Sequence, residues 1–167
     1  MRILGIDPGS HRMGWAVIES AGNSYRHIHS GVIDSNSIAA IPDRLWYIYQ
    51  QVAGIIDADK PEAAALETVF FFKNQKSSFV LIQSATAAML AALSRGLRIS
   101  EYQPMMIKKA VVGYGRAGKD QIQSMVKKLL NLNEVLLLDR SDAMAVAICH
   151  INSAQFQNRL LKNAAPY

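Results

Sequence analysis

Three apolar runs in this chain stop at a carboxylate, and that pattern constrains the fold more than any other feature. "ILGI" stops at Asp7, "AAAL" at Glu67 and "VLLL" at Asp139, with Asp142 three residues further on. Short apolar runs bounded by turn residues are consistent with buried strands. An ionised carboxylate beside such a run is costly unless it is paired or holds a cation. In α/β sheets, sites gather at the carboxyl ends of strands. If the first and fourth strands are neighbours, Asp7 and Glu67 stand side by side. Asp139 and Asp142, at i and i+3, share one face of a helix start. The four make a candidate nest of acids. Each also has an ordinary explanation: Asp7 as a turn residue of "DPG", Glu67 paired with a lysine, Asp139 or Ser141 as a helix cap, and Asp142 as a complement to the helix dipole.

The rest of the chain supplies a frame for these acids. "RILGID" reads as a strand and "DPGS" as a turn; "GWAVIES" and "YRHIHSGVI" are strands joined by the hairpin turn "AGNS". Leu45, Ile48, Tyr49, Val52, Ile55 and Ile56 recur at helical spacing over residues 42–57, with Pro42 and Asp43 near the start. "AAALE" is a short buried strand and "LRISEY" another. Ser77 to Arg95 is a long helix, apolar almost all round, that Gly96 stops. A helix without a polar face is either central in a core or covered by another subunit. Pro104 opens a short helix, Asp120 to Leu130 forms another, and a last one runs from Ser141 to Ser153. The order β-β-β-α-β-α-β-α-α-α predicts an α/β fold, with a mixed sheet of about five strands flanked by helices. Residues 1–155 are expected to form a single domain, and 156–167 a flexible tail.

Composition narrows the partners. Half of the 167 residues are hydrophobic and 19% are charged, which suits a globular domain. The apolar run after Met1 is too short for a signal peptide or a membrane span, so a soluble cytoplasmic protein with no membrane partner is expected. The lone Cys149 excludes an intramolecular disulfide and reads as a buried thiol. The formal net charge is +5, and Lys108, Lys109, Arg116, Lys119, Lys127 and Lys128 face the single acid Asp120 between residues 108 and 128. That surface suits a polyanion, although a solvated helix face explains Lys127 and Lys128 equally well.

"VVGYGRAGKDQ" (111–121) nearly matches the phosphate-binding loop of nucleotide hydrolases, and "EVLLLD" (134–139) resembles the strand that accompanies such loops. The loop has Asp120 where the magnesium-binding Ser or Thr belongs, and its lysine comes late in the chain. Its phosphate is therefore expected to be that of a nucleic acid, and "EVLLLD" becomes the lead-in to Asp139. No His or Cys pattern suggests zinc, so the acids point to magnesium or manganese. Clustered acids fit phosphoryl chemistry with two metal ions.

Five segments in register carry a family resemblance: "GIDPGSHRMGWAVIES", "RLWYIYQQV", "LETVFFFKN", "IKKAVVGYGRAGKDQ" and "DRSDAMAVAICH". Together they resemble the RuvC family of Holliday junction resolvases over roughly residues 2 to 152. The resemblance implies an RNase H-like fold, a homodimer and Mg²⁺-dependent cleavage of four-way DNA junctions, with Mn²⁺ able to substitute. It also implies a branch-migration motor complex as partner. Asp7, Glu67, Asp139 and Asp142 fall on the family's catalytic, metal-binding acids. Phe70 falls on an aromatic associated with DNA, and Lys108 and Lys119 on basic residues facing the junction. Arg116 is a further candidate phosphate contact. The helix over 77–95 is a candidate dimer interface, and a core position explains it equally well. Met13, Thr68 and Ala85-Thr86 depart from the family's common residues, and none of them is a metal ligand. Another RNase H-like nuclease, acting on RNA or hybrid duplexes, remains an alternative on sequence alone.

Overall fold

A computed structural model of the chain describes residues 1–22, 24–69 and 75–164, with side chains described except at 75–76 and 162–164. The elements follow the order the sequence implies. Strands β1 (Arg2–Asp7), β2 (Arg12–Ala21) and β3 (Ser24–Asp34) precede helix α1 (Ile41–Asp59), strand β4 (Ala63–Glu67) and helix α2 (Gln75–Ser94). Strand β5 (Arg98–Tyr102) then leads to helices α3 (Pro104–Val112), α4 (Lys119–Leu129) and α5 (Leu138–Ala164). The five strands form one sheet in the order β3-β2-β1-β4-β5. β1, β2 and β3 pair antiparallel, while β4 runs parallel to both β1 and β5.

Strand alternation assigns β1 side chains to two cores. Leu4 and Ile6 join Ala64 and Leu66 in the core beneath α1 and α2. Ile3 and Ala65 point the other way, into the core that α5 covers. Asp7 and Glu67, each an even number of residues further along, therefore end their strands on the α5 face.

Two glycines let α5 lie directly on that face. A Cβ on Gly5 would stand 2.2 Å from the Ala143 carbonyl oxygen, and one on Gly14 would stand 2.0 Å from that of Asp139. Any larger residue at either place would push the start of α5, and its acids, off the sheet. Ala143, Ala147 and Ile148 fill the rest of the contact.

Helix α5 continues to Ala164, past the end at Ser153 that the sequence pattern suggests. Gln155 holds this extension by donating to Ser20 Oγ and to the Gly22 carbonyl. The all-round apolar helix has two unlike faces. Ala87, Ala88, Ala91 and Ala92 are buried, while Phe79, Leu90 and Leu93 are exposed. By length and composition Ser77–Ser94 could cross a membrane, with a mean hydropathy of 1.5. Its alanines instead share a core with Val52 and Ile56 of α1, as in a packed helix of a globular fold.

The look-alike phosphate loop joins two helices. Gly113 caps α3 in the left-handed region (φ 89°), donating to the Lys109 carbonyl. Gly118 precedes α4, and its N–H donates to Gln121 Oε1. A nucleotide-hydrolase loop follows a strand; this one follows a helix, which removes that reading.

Candidate active site

Five elements meet at a cavity of about 190 Å³ lined by Asp7, Glu67, Lys108, Lys119 and Asp142, with Pro104, Ile107, Ile122 and Ala145 as its apolar wall. Parallel pairing of Ile6 with Leu66 brings the ends of β1 and β4 together, so Asp7 and Glu67 are adjacent as the sequence suggests. Asp142 reaches them from the second turn of α5. Lys108 comes from the middle of α3, and Lys119 from the first position of α4.

The electrostatics are those of a site that wants a cation. Burial, reinforced by the charges of Glu67 and Asp142, pushes the Asp7 carboxyl up to about 8 from an ordinary 3.8. Burial also raises Glu67, with Asp142 adding to it and the two lysines opposing. Asp142 is raised by burial and pulled back by Lys119, whose Nζ lies 3.4 Å from its Oδ2. Like charges that cannot escape into water favour the protonated form until a cation arrives.

Asp139 is not equivalent to the other three. It stands in the first turn of α5, paired with Arg12 Nη2 at 3.2 Å, and does not line the cavity. Its charge still reaches Asp7 and Asp142. The run before it differs from expectation as well. "EVLL" is a loop in which only Leu136 is buried; Val135 and Leu137 are exposed, as is Leu138 at the helix start. Neither Asp139 nor Ser141 caps α5, because the helix begins ahead of both.

Among the described residues, no group of three His, Cys, Asp or Glu side chains is already disposed to hold a metal ion. Arg12 and Lys119 each occupy one of the acids instead. The donor chemistry nevertheless fits a hard divalent cation: carboxylate oxygens only, crowded and under-neutralised. Arg116 is exposed on the α3–α4 loop, outside the cavity lining. Phe70 lies outside the described residues. Arg12 was not a sequence candidate. Its position two residues before Gly14, beside the start of α5, becomes visible only once β2 and α5 are packed together.

The family model for crossover junction endodeoxyribonuclease RuvC matches residues 3–150. The chain belongs to the RuvC family. A RuvC relative from Geobacter sulfurreducens is 47% identical over 160 residues, covering 96% of this chain and 98% of that one. One from Citrifermentans bemidjiense is 48% identical, covering 98% and 99%. The structure of Thermus thermophilus RuvC in complex with a Holliday junction substrate superposes with a TM-score of 0.88 at 28% identity, covering 94% of this chain and 96% of that one. The RNase H-like fold expected from the resemblance is thus the fold of the molecule. Nucleases of the RuvC family depend on divalent metal.

Proposed function

We propose that this protein resolves four-way DNA junctions by paired, symmetric nicks, as a metal-dependent endodeoxyribonuclease in recombination and repair. One observation carries the reading: three carboxylates and two lysines share one cavity in a chain of the RuvC family. Acids without a cation repel a phosphodiester, whereas acids filled by divalent ions, flanked by lysines, attract one.

Asp7, Glu67, Asp139 and Asp142 are the residues that would hold Mg²⁺, two ions per site. Bound divalent ions supply water activation at neutral pH and neutralise charge on the leaving oxygen. The chain's own groups do the rest. Lys119, beside Asp142 at the mouth of the acids, would contact a phosphate oxygen. Lys108 contacts the same strand from α3. Both give affinity and salt dependence rather than sequence reading. Arg116 meets a phosphate further along, and Phe70 meets a base. The apolar wall formed by Ile107, Ile122 and Ala145 keeps bulk water from one side, which strengthens each charge interaction inside.

A junction has approximate two-fold symmetry, so two matched cuts call for two matched sites, which an isologous homodimer supplies. The exposed side of α1 and α2 suits that role. Trp46, stacked on Tyr49, and Leu90 line an apolar cavity of about 480 Å³ between the two helices. We place the enzyme in the cytoplasm, working with a branch-migration motor complex of the RuvAB type.

The test is a single incubation series. Four-way junction, linear duplex and RNA–DNA hybrid are each mixed with the protein, in Mg²⁺ or in EDTA. Paired symmetric nicks in the junction alone, lost in EDTA, are expected. Equal cutting of the linear duplex or of the hybrid would sink the reading.

A further inference from the structure

The segment before Asp139 carries apolar side chains outside the core. Val135 is 92% exposed, Leu137 53% and Leu138 45%, whereas Leu136 between them is 5% exposed and packed inward. Single exposed aliphatics are ordinary; three within four residues form a patch. The loop is also tied down. The Leu136 carbonyl accepts from Gln123 Nε2 at 3.0 Å. Arg140 bridges Glu134 at 3.0 Å and donates from Nε to Ser30 Oγ at 3.0 Å. A loop anchored at its ends and centre presents Val135 and Leu137 in fixed positions.

The patch leads into the start of α5, beside Asp139. Asp139 follows Leu138 directly, and its backbone lies on Gly14 with Arg12 paired to its carboxylate. An apolar surface beside Asp139 and its partner Arg12 suits one ligand chemistry: a nucleobase face on the aliphatic groups, with its phosphate toward the cation. Apolar side chains wedged against bases are a general device for holding DNA unstacked.

We propose that Val135, Leu137 and Leu138 form an apolar shelf that receives an unstacked base beside the strand being cut, and so positions the scissile phosphate. The proposal rests on the junction-cleaving reading above. These are positioning residues; the acids remain the catalytic ones.

The test uses four-way junctions carrying 2-aminopurine at the crossover nucleotides, whose fluorescence rises on unstacking. With wild-type protein in EDTA the fluorescence rises on binding. The triple variant Val135→Ser/Leu137→Ser/Leu138→Ser binds within about threefold of wild type, because phosphate contacts supply most of the affinity. It loses the fluorescence rise, and its single-turnover cleavage in Mg²⁺ falls about tenfold, the scale of one lost apolar base contact. Leu137→Met keeps both signals. Val135→Ser alone, at the most exposed position, shows a partial loss with an unchanged melting temperature. Retention of the full fluorescence rise and cleavage rate by the triple variant overturns the proposal. So does its change from dimer to monomer in sedimentation, which would assign the patch to a second copy. Wild-type protein that cuts junctions without any fluorescence rise overturns the shelf alone, whereas wild-type protein that cuts no junction overturns the nuclease reading itself.

Discussion

The two ends of the central sheet handle charge in opposite ways. At the end where β1 begins, Glu19, Glu62 and Asp59 each have a hydrogen-bonding or ionic partner. Glu19 accepts from Arg2 at 3.1 Å and pairs with Arg26 as well, and Glu62 meets the N-terminal amine at 3.7 Å. Asp59 accepts from His29 at 2.7 Å. The hydrogen bonds of Arg26 and Arg2 hold the Glu19 carboxyl below the usual range. At the end where β1 stops, Asp7, Glu67 and Asp142 are all raised. One end is arranged for the folded state alone. The other carries repulsion that only a bound cation removes, so the native state without metal bears a cost that serves function.

Asp7→Asn breaks this contrast most sharply. It removes the carboxylate on which both Glu67 and Asp142 act, and cleavage should drop about a thousandfold, as when a principal charge-stabilising group of an active site is lost. Junction binding, carried by the lysines, persists in a gel-shift titration. The same variant should be more stable than wild type without metal at pH 8, by a few degrees in melting temperature on the scale of about 2–4 °C per kcal/mol for a chain of this size. A variant that cuts at the wild-type rate, or melts lower, breaks the comparison.

The next effect is on pH dependence. A carboxyl raised from 3.8 to about 8 keeps its proton in the folded state where the unfolded chain has already released it. Across that interval the native state binds more protons, so stability falls as pH rises. In EDTA, thermal melts from pH 5 to pH 8 should show a decline that is much smaller in Asp7→Asn, where only Glu67 and Asp142 remain raised. Millimolar Mg²⁺ should recover more of it at pH 8 than at pH 5, because the cation binds the ionised acids. A flat wild-type profile would show that the acid end carries no repulsion.

Much of this was legible in the sequence, for definable reasons. Asp7 and Glu67 could be placed because apolar strands alternate strictly, and a carboxylate at the last position has few places to go. The element order followed from periodicity and from Pro42, Gly96 and Pro104. What could not be read were facts that exist only after packing. Arg12 and Asp139 meet because Gly14 admits α5 onto β2. "EVLLL" has the composition of a core segment, yet the chain must turn from α4 into α5 there, leaving room inside for Leu136 alone. The helix over α2 looked uniform because alanine and leucine are both apolar; size, not polarity, separates its buried face from its exposed one. In α5 the pattern fades after Ser153 because the helix leaves the core, while the backbone continues through the hydrogen bonds of Gln155.

Lys119 tests the seam between charge for folding and charge for substrate. Among the described residues it is the one cation paired with a cavity acid, and that acid is still raised. Lys119→Met should weaken junction binding and reduce the slope of log affinity against log salt by about one, the signature of a single lost phosphate contact. Cleavage falls with it. An unchanged slope would mean that Lys119 serves Asp142 and not DNA.

The smallest effect is expected at the opposite end of the sheet. Glu19→Gln leaves a neutral acceptor between Arg2 and Arg26, at a surface position where ion pairs are screened by salt and contribute little. Because the Glu19 carboxyl is lowered in the folded state, its contribution is present above the ordinary carboxylate range and is lost as pH falls through it, the reverse of Asp7. Melting temperature at pH 8 should therefore drop slightly and converge with wild type near pH 3. Mg²⁺-dependent cleavage should be unchanged, since nothing at this end touches the acids of β1 and β4. A cleavage defect in Glu19→Gln without loss of folding would mean that the two ends of the sheet are coupled, and that the division between folding charge and functional charge is not local.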